Sequence, residues 1–350
     1  MRRPASTEAG AGPAVVVPQT SFLGDVVLTT PLFAALRARV RPRRLAVIVR
    51  PEAVPLVEGH PDVDEVLVDD KRGRDRGVRG ALRVARRVRE RGFDLAVSPH
   101  RSLRTAVVLA MARVPRRIGF DESRGAALFH ERIARDRRLH DVERNLALMA
   151  PFGGADGAPR LFVPVQPAAE RRARELVPEG AGPLVAIAPA SVWATKRWRP
   201  EGFAAVASRL AGAGARIVLL GAPGDRGLCE EIAARTGGAA TPLAGRTDLA
   251  TMVAVIDRAA VLVGNDSAPM HVACARGVPV VAVFCATTPA LGYGPYGPHT
   301  RVVEVDLACR PCGRHGGQRC PRGTEDCMRL VDPEAVVQAV RSVWRTEGGR

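Results

Sequence analysis

The strongest constraint on the fold is the stretch Ala260-Val-Leu-Val-Gly-Asn-Asp-Ser-Ala-Pro-Met-His-Val-Ala-Cys-Ala-Arg-Gly277. Val261–Val263 is a β-branched and aliphatic run of the kind that fills a parallel strand buried on both faces. Gly264 ends it, Asn265, Asp266 and Ser267 are helix-capping types, and Pro269 suits the first turn of a helix. A strand that stops at a polar turn and opens into a helix leaves backbone N–H groups aimed outward. That is a ready anion site, at the edge where open α/β sheets bind ligands. His271 falls about one turn into the helix, in reach of the same ligand. Gly277-Val-Pro-Val-Val-Ala-Val-Phe284 then supplies a second buried strand. Taken alone, the stretch reads as a capped helix with a solvated aspartate and a core histidine. Matching parts elsewhere turn it into a site.

The same alternation runs through the chain. Ala14–Val17, Leu45–Val49, Glu65–Val68 and Asp94–Val97 are expected strands. A helix through Leu28, Leu32 and Leu36 follows the first, and an arginine-rich amphipathic helix precedes the fourth. Asn145–Met149 closes this half. Leu184–Ala188, Ile217–Leu220, Val261–Val263 and Val280–Val283 restart the pattern, and Asp332 caps a last helix whose apolar face runs through Val337, Val340 and Trp344. Such alternation implies βαβ units and parallel sheets. Residues 151–166 are rich in Gly and Pro and read as a linker. The expected organisation is a disordered tail over 1–12, a Rossmann-like domain over 13–150, the linker, a second Rossmann-like domain over 167–331, and a helix and tail over 332–350. Two doubly wound α/β domains with a cleft between them are the expected architecture.

A chain of 350 residues, 46% hydrophobic, has enough apolar side chains for two cores. The net charge of +16 is densest over Lys71–Arg91 and admits nucleic acid, an anionic membrane surface or a polyanionic substrate, against a plain solvated helix face. Aromatics at 4% argue against stacking platforms for single-stranded nucleic acid. No apolar run reaches bilayer length, and no hydrophobic signal region follows the first arginines. A cytoplasmic protein is expected.

Three strand ends carry chemistry. Gly24 lets backbone approach a ligand closely, and Asp25 beside it is either an N-cap or a carboxylate placed to accept a proton, kept ionised by the helix N-terminus. Ser191 and Thr195, beside Lys196 and Arg197, form an anion clamp suited to a diphosphate. Trp193 and Trp198 flank these cations, which a purely structural loop does not require. Asp266, Ser267 and His271 make the third, and Asp225 at a neighbouring strand end is a candidate for ribose hydroxyls. No Asp-x-Asp metal clamp stands out.

Together these residues resemble glycosyltransferase family nine, the bacterial lipopolysaccharide heptosyltransferases, closest to the heptosyltransferase II group. The likeness runs from about Val15 to Val343. It rests on Gly24-Asp-Val-Val-Leu-Thr-Thr-Pro31, His140-Asp-Val-Glu-Arg144, Ser191-Val-Trp-Ala-Thr-Lys-Arg-Trp198 and Asn265-Asp-Ser-Ala-Pro-Met-His271. It implies the GT-B fold, with an acceptor site on the first domain and an ADP-heptose site on the second. It implies Asp25 as general base, a diphosphate held by Ser191, Thr195 and Lys196, and a donor sugar lined by Asp266 to His271. The family usually has Gly where this chain has Ala268, whose methyl group would tighten or shift the donor pocket. The expected reaction is a metal-independent, inverting transfer to a lipid A–Kdo–heptose acceptor. Gly24, Arg101, Arg104 and His140 would serve the acceptor, and the enzyme would be peripheral to the inner membrane. A transferase of the same fold using another nucleotide sugar is the alternative.

Cys229, Cys274 and Cys285 read as core residues. Cys309, Cys312, Cys320 and Cys327 instead cluster in a Gly/Arg/Pro loop that includes His315. In a reducing compartment the choice there is between a structural Zn²⁺ and reduced thiols in a packed loop. A basic, zinc-stapled nucleic-acid-binding protein would account for the charge and the cysteines. It would not account for Asp25, Lys196 and Asp266 all falling at strand ends.

Overall fold

The computed structural model describes residues 12–155, 157 and 160–344. The expected disordered tail lies outside the described residues up to position 11, and Gly12 already belongs to a strand. Residues 345–350 likewise lie outside them.

The chain forms two compact units, Met1–Pro164 and Val165–Arg350. In the first, strands β1 (Gly12–Pro18), β2 (Pro42–Val49), β3 (Glu65–Val68), β4 (Leu95–Ser98), β5 (Arg116–Phe120) and β6 (Glu131–Ile133) alternate with helices α1 (Leu23–Val40), α2 (Gly77–Glu90), α3 (Leu103–Met111) and α4 (Asp141–Ala147). The strands form one parallel sheet in the order β3-β2-β1-β4-β5-β6. The second unit opens with helix α5 (Pro167–Leu176). Its strands are β7 (Leu184–Ala188), β8 (Arg216–Leu219), β9 (Ala240–Pro242), β10 (Val261–Asn265), β11 (Val280–Phe284) and β12 (Thr300–Glu304). Helices α6 (Pro200–Gly212), α7 (Arg226–Arg235), α8 (Leu249–Asp257), α9 (Ala268–Ala275), α10 (Asp326–Arg329) and α11 (Pro333–Val343) complete it. Its sheet is again all parallel, β12-β11-β10-β7-β8-β9. Each unit is a Rossmann-like fold, with its strand order reversing between the two central strands.

The central strands are buried along their length because helices cover both faces, so their sequences are continuous apolar runs. Strands β5, β6, β9 and β12 escape the sequence reading for the converse reason. They stand at or near a sheet edge, and the half-exposed Thr300–Glu304 and the charged start of Arg116–Phe120 offer no such run.

Helix α1 continues through Pro31, which has no N–H for the carbonyl one turn back. Thr30 Oγ1 donates to that carbonyl, Val27 O, at 2.8 Å. Helix α2 buries Gly80, Ala81, Val84, Ala85 and Val88, turns Arg79, Arg83, Arg86 and Arg89 outward, and keeps Arg87 on the buried Asp75. A methyl group at Gly80 would collide with the carbonyl of Asp75, so the preceding loop can close tightly on the helix only over glycine. Within the expected linker, Leu161 and Val163 are buried and the Phe162 N–H donates to Thr30 Oγ1 at 3.1 Å, tying this stretch to the first unit. The last helix is capped by Asp332, whose Oδ1 accepts from Glu334 N at 2.9 Å. It packs through Val336, Val337, Val340 and Val343, with Trp344 at its margin.

Candidate active site

In the first unit the strand order reverses between β1 and β4, so the loops leaving these neighbours part and expose a polar edge. Asp25 stands on that edge in the first turn of α1. Ser21 Oγ donates to Asp25 Oδ2, and the Phe22 N–H donates to the same oxygen at 3.2 Å. Both bonds favour the carboxylate, as does the charge of Arg101. Burial and then the negative charge of Asp141 outweigh them, and the Asp25 pKa lies above the usual carboxylate range. Burial thus opposes the effect expected of the helix N-terminus and makes the group a better proton acceptor than an ordinary aspartate. Asp141 opens α4 and pairs with Arg135 at 2.6 Å and Arg144 at 3.5 Å. The ring of His140 caps the same helix, Nδ1 accepting from Val142 N at 3.2 Å.

Cations gather along this edge. Lys71 Nζ donates to Thr20 O at 2.5 Å and Thr20 Oγ1 at 3.2 Å, and Thr20 Oγ1 lies 3.2 Å from His100 Nδ1. Burial, then Lys71, Arg101 and Arg50, push His100 down to about 3, so its ring is neutral at physiological pH. Burial, then Arg50, also lowers Lys71. Arg50 is buried at the end of β2, where it pairs with Glu52 at 2.8 Å, and its Nε has no partner. Arg101 pairs with Glu122 at 2.6 Å. Arg104 is a strut: it grips Asp69 at 2.9 and 3.2 Å and donates to Gly77 O at 3.0 Å and Asp75 O at 2.7 Å. Every nitrogen of its guanidinium is engaged in holding the loop after β3.

In the second unit the reversal lies between β7 and β10. Asn265 joins the two loops there, accepting from Trp198 N at 2.9 Å and donating to Pro189 O at 2.6 Å. Asp266, expected as a cap, instead pairs with Lys196 Nζ at 2.6 Å and accepts from Thr287 Oγ1 at 2.7 Å. The loop curls so that Arg197 Nε donates to Ser191 O at 2.6 Å, which leaves Arg197 on the surface. Thr195 is buried, its hydroxyl bonded to both polar backbone atoms of Gly317. Ser267 precedes α9, Ala268 opens it partly exposed, and His271 is buried one turn on. Asp225 Oδ2 accepts from Ala222 N at 2.9 Å and braces its own turn. The reading of the two tryptophans needs correction. Trp198 is 1% exposed and meets Phe203 edge-on at 5.0 Å, so it is core, while Trp193 stacks on His315.

A family model for glycosyltransferase family 9 (heptosyltransferase) matches residues 81–319, more than half of the chain. The chain belongs to glycosyltransferase family 9. It is similar to lipopolysaccharide heptosyltransferase 3 of Escherichia coli, 27% identical over 76% of this chain and 82% of that one. It is likewise similar to lipopolysaccharide heptosyltransferase 2 of Salmonella typhimurium, 24% identical over 95% and 99%. Among solved structures, the family 9 glycosyltransferase of Veillonella parvula superposes with a TM-score of 0.87 at 25% identity, covering 95% of this chain and 97% of that one. E. coli ADP-heptose lps heptosyltransferase II gives 0.79 at 22% identity, covering 94% and 98%, and shares the fold. The chain is thus a glycosyltransferase of GT-B architecture.

In this family 9 enzyme Cys309, Cys312 and Cys320 share the loop between β12 and α10, and Cys327 stands in α10. Cys327 is buried in the core of the second unit, and Cys312 Sγ donates to Cys309 O at 3.3 Å. Backbone N–H groups from Arg322 to Glu325 lower the Cys320 thiol. Among the described residues no three His, Cys, Asp or Glu side chains stand close enough to share an ion. The thiols of Cys309, Cys312 and Cys320 lie within electrostatic reach of Cys327, yet in this geometry the four do not close into a ligand set. Arg50, Lys71, His100 and Thr287 are not singled out by the sequence reading, and Asp141 enters it only within the His140–Arg144 motif. The first four are single polar residues just beyond a strand end, Asp141 opens α4, and only topology brings them to the site.

The coupling of Asp25 to Asp141 is testable without substrate. In Asp141→Asn one negative neighbour is gone, so the Asp25 carboxyl, followed by ¹³C NMR, should titrate at lower pH than in the wild type. An unmoved midpoint would mean that Asp141 does not tune Asp25.

Proposed function

We propose that this enzyme transfers heptose from ADP-heptose to the inner core of lipopolysaccharide, with inversion at the anomeric carbon. The observation that carries the reading is the pair of strand reversals in a family 9 chain: one presents a carboxylate with a raised pKa, the other a lysine held on a buried aspartate. Asp25 accepts the proton of an acceptor hydroxyl as that oxygen bonds to the anomeric carbon. The bond from that carbon to the diphosphate oxygen breaks, and ADP leaves carrying the electron pair. Lys196 stabilises the charge that develops there. Ser191 and Arg197 stand in the same loop to assist, and Asp266, Ser267, Ala268 and His271 line the sugar.

The acceptor is a polyanion, and the support for it on this chain is Arg50 and Arg101, each within electrostatic reach of Asp25, with Lys71 bonded to Thr20 at the same strand end. Burial first, and then the charge of Arg50, lower the Lys71 pKa, and a bound phosphate or carboxylate would offset the second of these. The acceptor's lipid anchor implies work at a membrane surface. No helix among the described residues is long and apolar enough to cross a membrane. Helix α2 offers another means of attachment: Val78, 78% exposed, and Leu82, 48% exposed, lie one turn apart among the outward Arg79, Arg83, Arg86 and Arg89. Vesicles containing anionic lipid should capture the protein and phosphatidylcholine vesicles should not, with Val78→Ser/Leu82→Ser weakening capture. Equal binding to both vesicle types would end the idea.

Two substitutions test the chemistry. Lys196→Ala should weaken ADP binding by about tenfold to a hundredfold, the worth of a charge-assisted contact, measured by calorimetry. Asp25→Asn should leave ADP binding intact and slow transfer by roughly 10²–10⁴, typical for loss of a general base. Near-normal turnover in Asp25→Asn would remove it from the mechanism.

A further inference from the structure

Thr195 is expected from sequence to lend its hydroxyl to the diphosphate, yet that hydroxyl is already committed. Its single hydrogen is donated to Gly317 O at 3.0 Å, and its oxygen accepts from Gly317 N at 2.8 Å. A hydroxyl has one donor, and a phosphate oxygen can only accept, so Thr195 cannot serve both partners at once. The backbone of Thr195 is fixed as well, its N–H donating to Gly317 O at 3.0 Å and its carbonyl accepting from Ala286 N at 3.2 Å.

Gly317 belongs to the cysteine-rich loop, and that loop is itself anchored. Cys312 N donates to Ala286 O at 2.8 Å, and the side chain of Arg310, 3% exposed, donates to Thr287 O at 2.6 Å and Phe284 O at 3.1 Å. The end of β11 and the cysteine-rich loop therefore hold Thr195 from two sides. The next residue is Lys196, whose Nζ meets Asp266. Gly316 allows the close approach: it sits at φ +72°, and a methyl group there would come within 2.9 Å of Thr195 Oγ1.

We propose that the cysteine-rich loop is a brace for the donor loop, and that Thr195 is a positioning residue clasped by Gly317 so that Lys196 meets the donor diphosphate. The proposal rests on the reading of Lys196 as a diphosphate ligand, and its test separates the two. Calorimetry with ADP would compare wild type with Thr195→Val, Thr195→Ser, Gly316→Ala and the Thr195→Val/Gly316→Ala double variant, with Lys196→Ala alongside. Thr195→Val removes both hydroxyl bonds, and Gly316→Ala pushes the clasp apart while leaving Thr195 unchanged. Each should weaken ADP by about tenfold, Thr195→Ser should stay within about twofold of wild type, and the double variant should be no worse than the weaker single. The donor KM should rise in step while the acceptor KM stays put, which a general loss of fold would not produce. Wild-type ADP affinity in Thr195→Val would overturn the brace. So would a Gly316→Ala protein that binds ADP normally while Thr195→Val fails, because the hydroxyl would then belong to the ligand. Should Thr195→Val fail to fold, Gly316→Ala and Thr195→Ser still decide the matter. Unchanged ADP affinity in Lys196→Ala would sink the diphosphate reading itself, whatever the Thr195 variants do.

Discussion

A parallel strand can be continued only by a crossover over one face of its sheet, and that constraint governs both halves of this enzyme. Where the strand order reverses, the crossovers from the two central strands depart in opposite directions and leave their carboxyl ends uncovered. Polar groups can be presented there while the strands beneath remain fully buried. β1 and β4 form the reversal in the first unit, β7 and β10 in the second. Asp25, His100 and Arg101 follow the first pair, and Lys196 and Asp266 follow the second. Asn265 knits the second pair of loops by bonding across to Trp198 and Pro189.

The two edges are electrostatically unlike, and the difference suits their proposed roles. Asp25 is a carboxylate whose partly buried position and acidic neighbour hold its pKa up, while Ser21 and Phe22 fix its orientation. Lys196 is a cation kept in place by a buried carboxylate, which limits its side-chain freedom before a ligand arrives. Much of the arginine excess is occupied within the fold. Arg87 holds the buried Asp75, Arg104 holds Asp69, and Glu122 gathers Arg101, Arg135 and Arg137. The high net charge is therefore a poor guide to which arginines meet an anion. Buried Arg50 and crowded Lys71 carry more information than the exposed row on α2.

The buried strands and the strand-end motifs were legible in the sequence because burial on both faces forces unbroken apolar runs, and because polar turns opening into helices have a local signature. The half-exposed edge strands were not, since Thr300–Glu304, though β-branched at Thr300, Val302 and Val303, offers no unbroken apolar run. Side-chain duty was the least legible part. Trp198, which flanks the cations of the clamp in sequence, lies in the core against Phe203, Arg104, expected at the acceptor, is a strut, and the Thr195 hydroxyl is bonded to a glycine 122 residues away. Each depends on a contact between distant segments that spacing cannot reveal.

The central claim is transfer of heptose from ADP-heptose by an aspartate-assisted displacement. Its most direct test is to offer the purified enzyme a lipid A–Kdo–heptose acceptor with ADP-heptose, UDP-glucose or GDP-mannose, and to follow nucleoside diphosphate release and the anomeric configuration of the product by NMR. The account predicts acceptor-dependent release of ADP from ADP-heptose alone, with an inverted anomeric centre. Acceptor-dependent turnover of another nucleotide sugar with none of ADP-heptose, or a product with retained configuration, would contradict it.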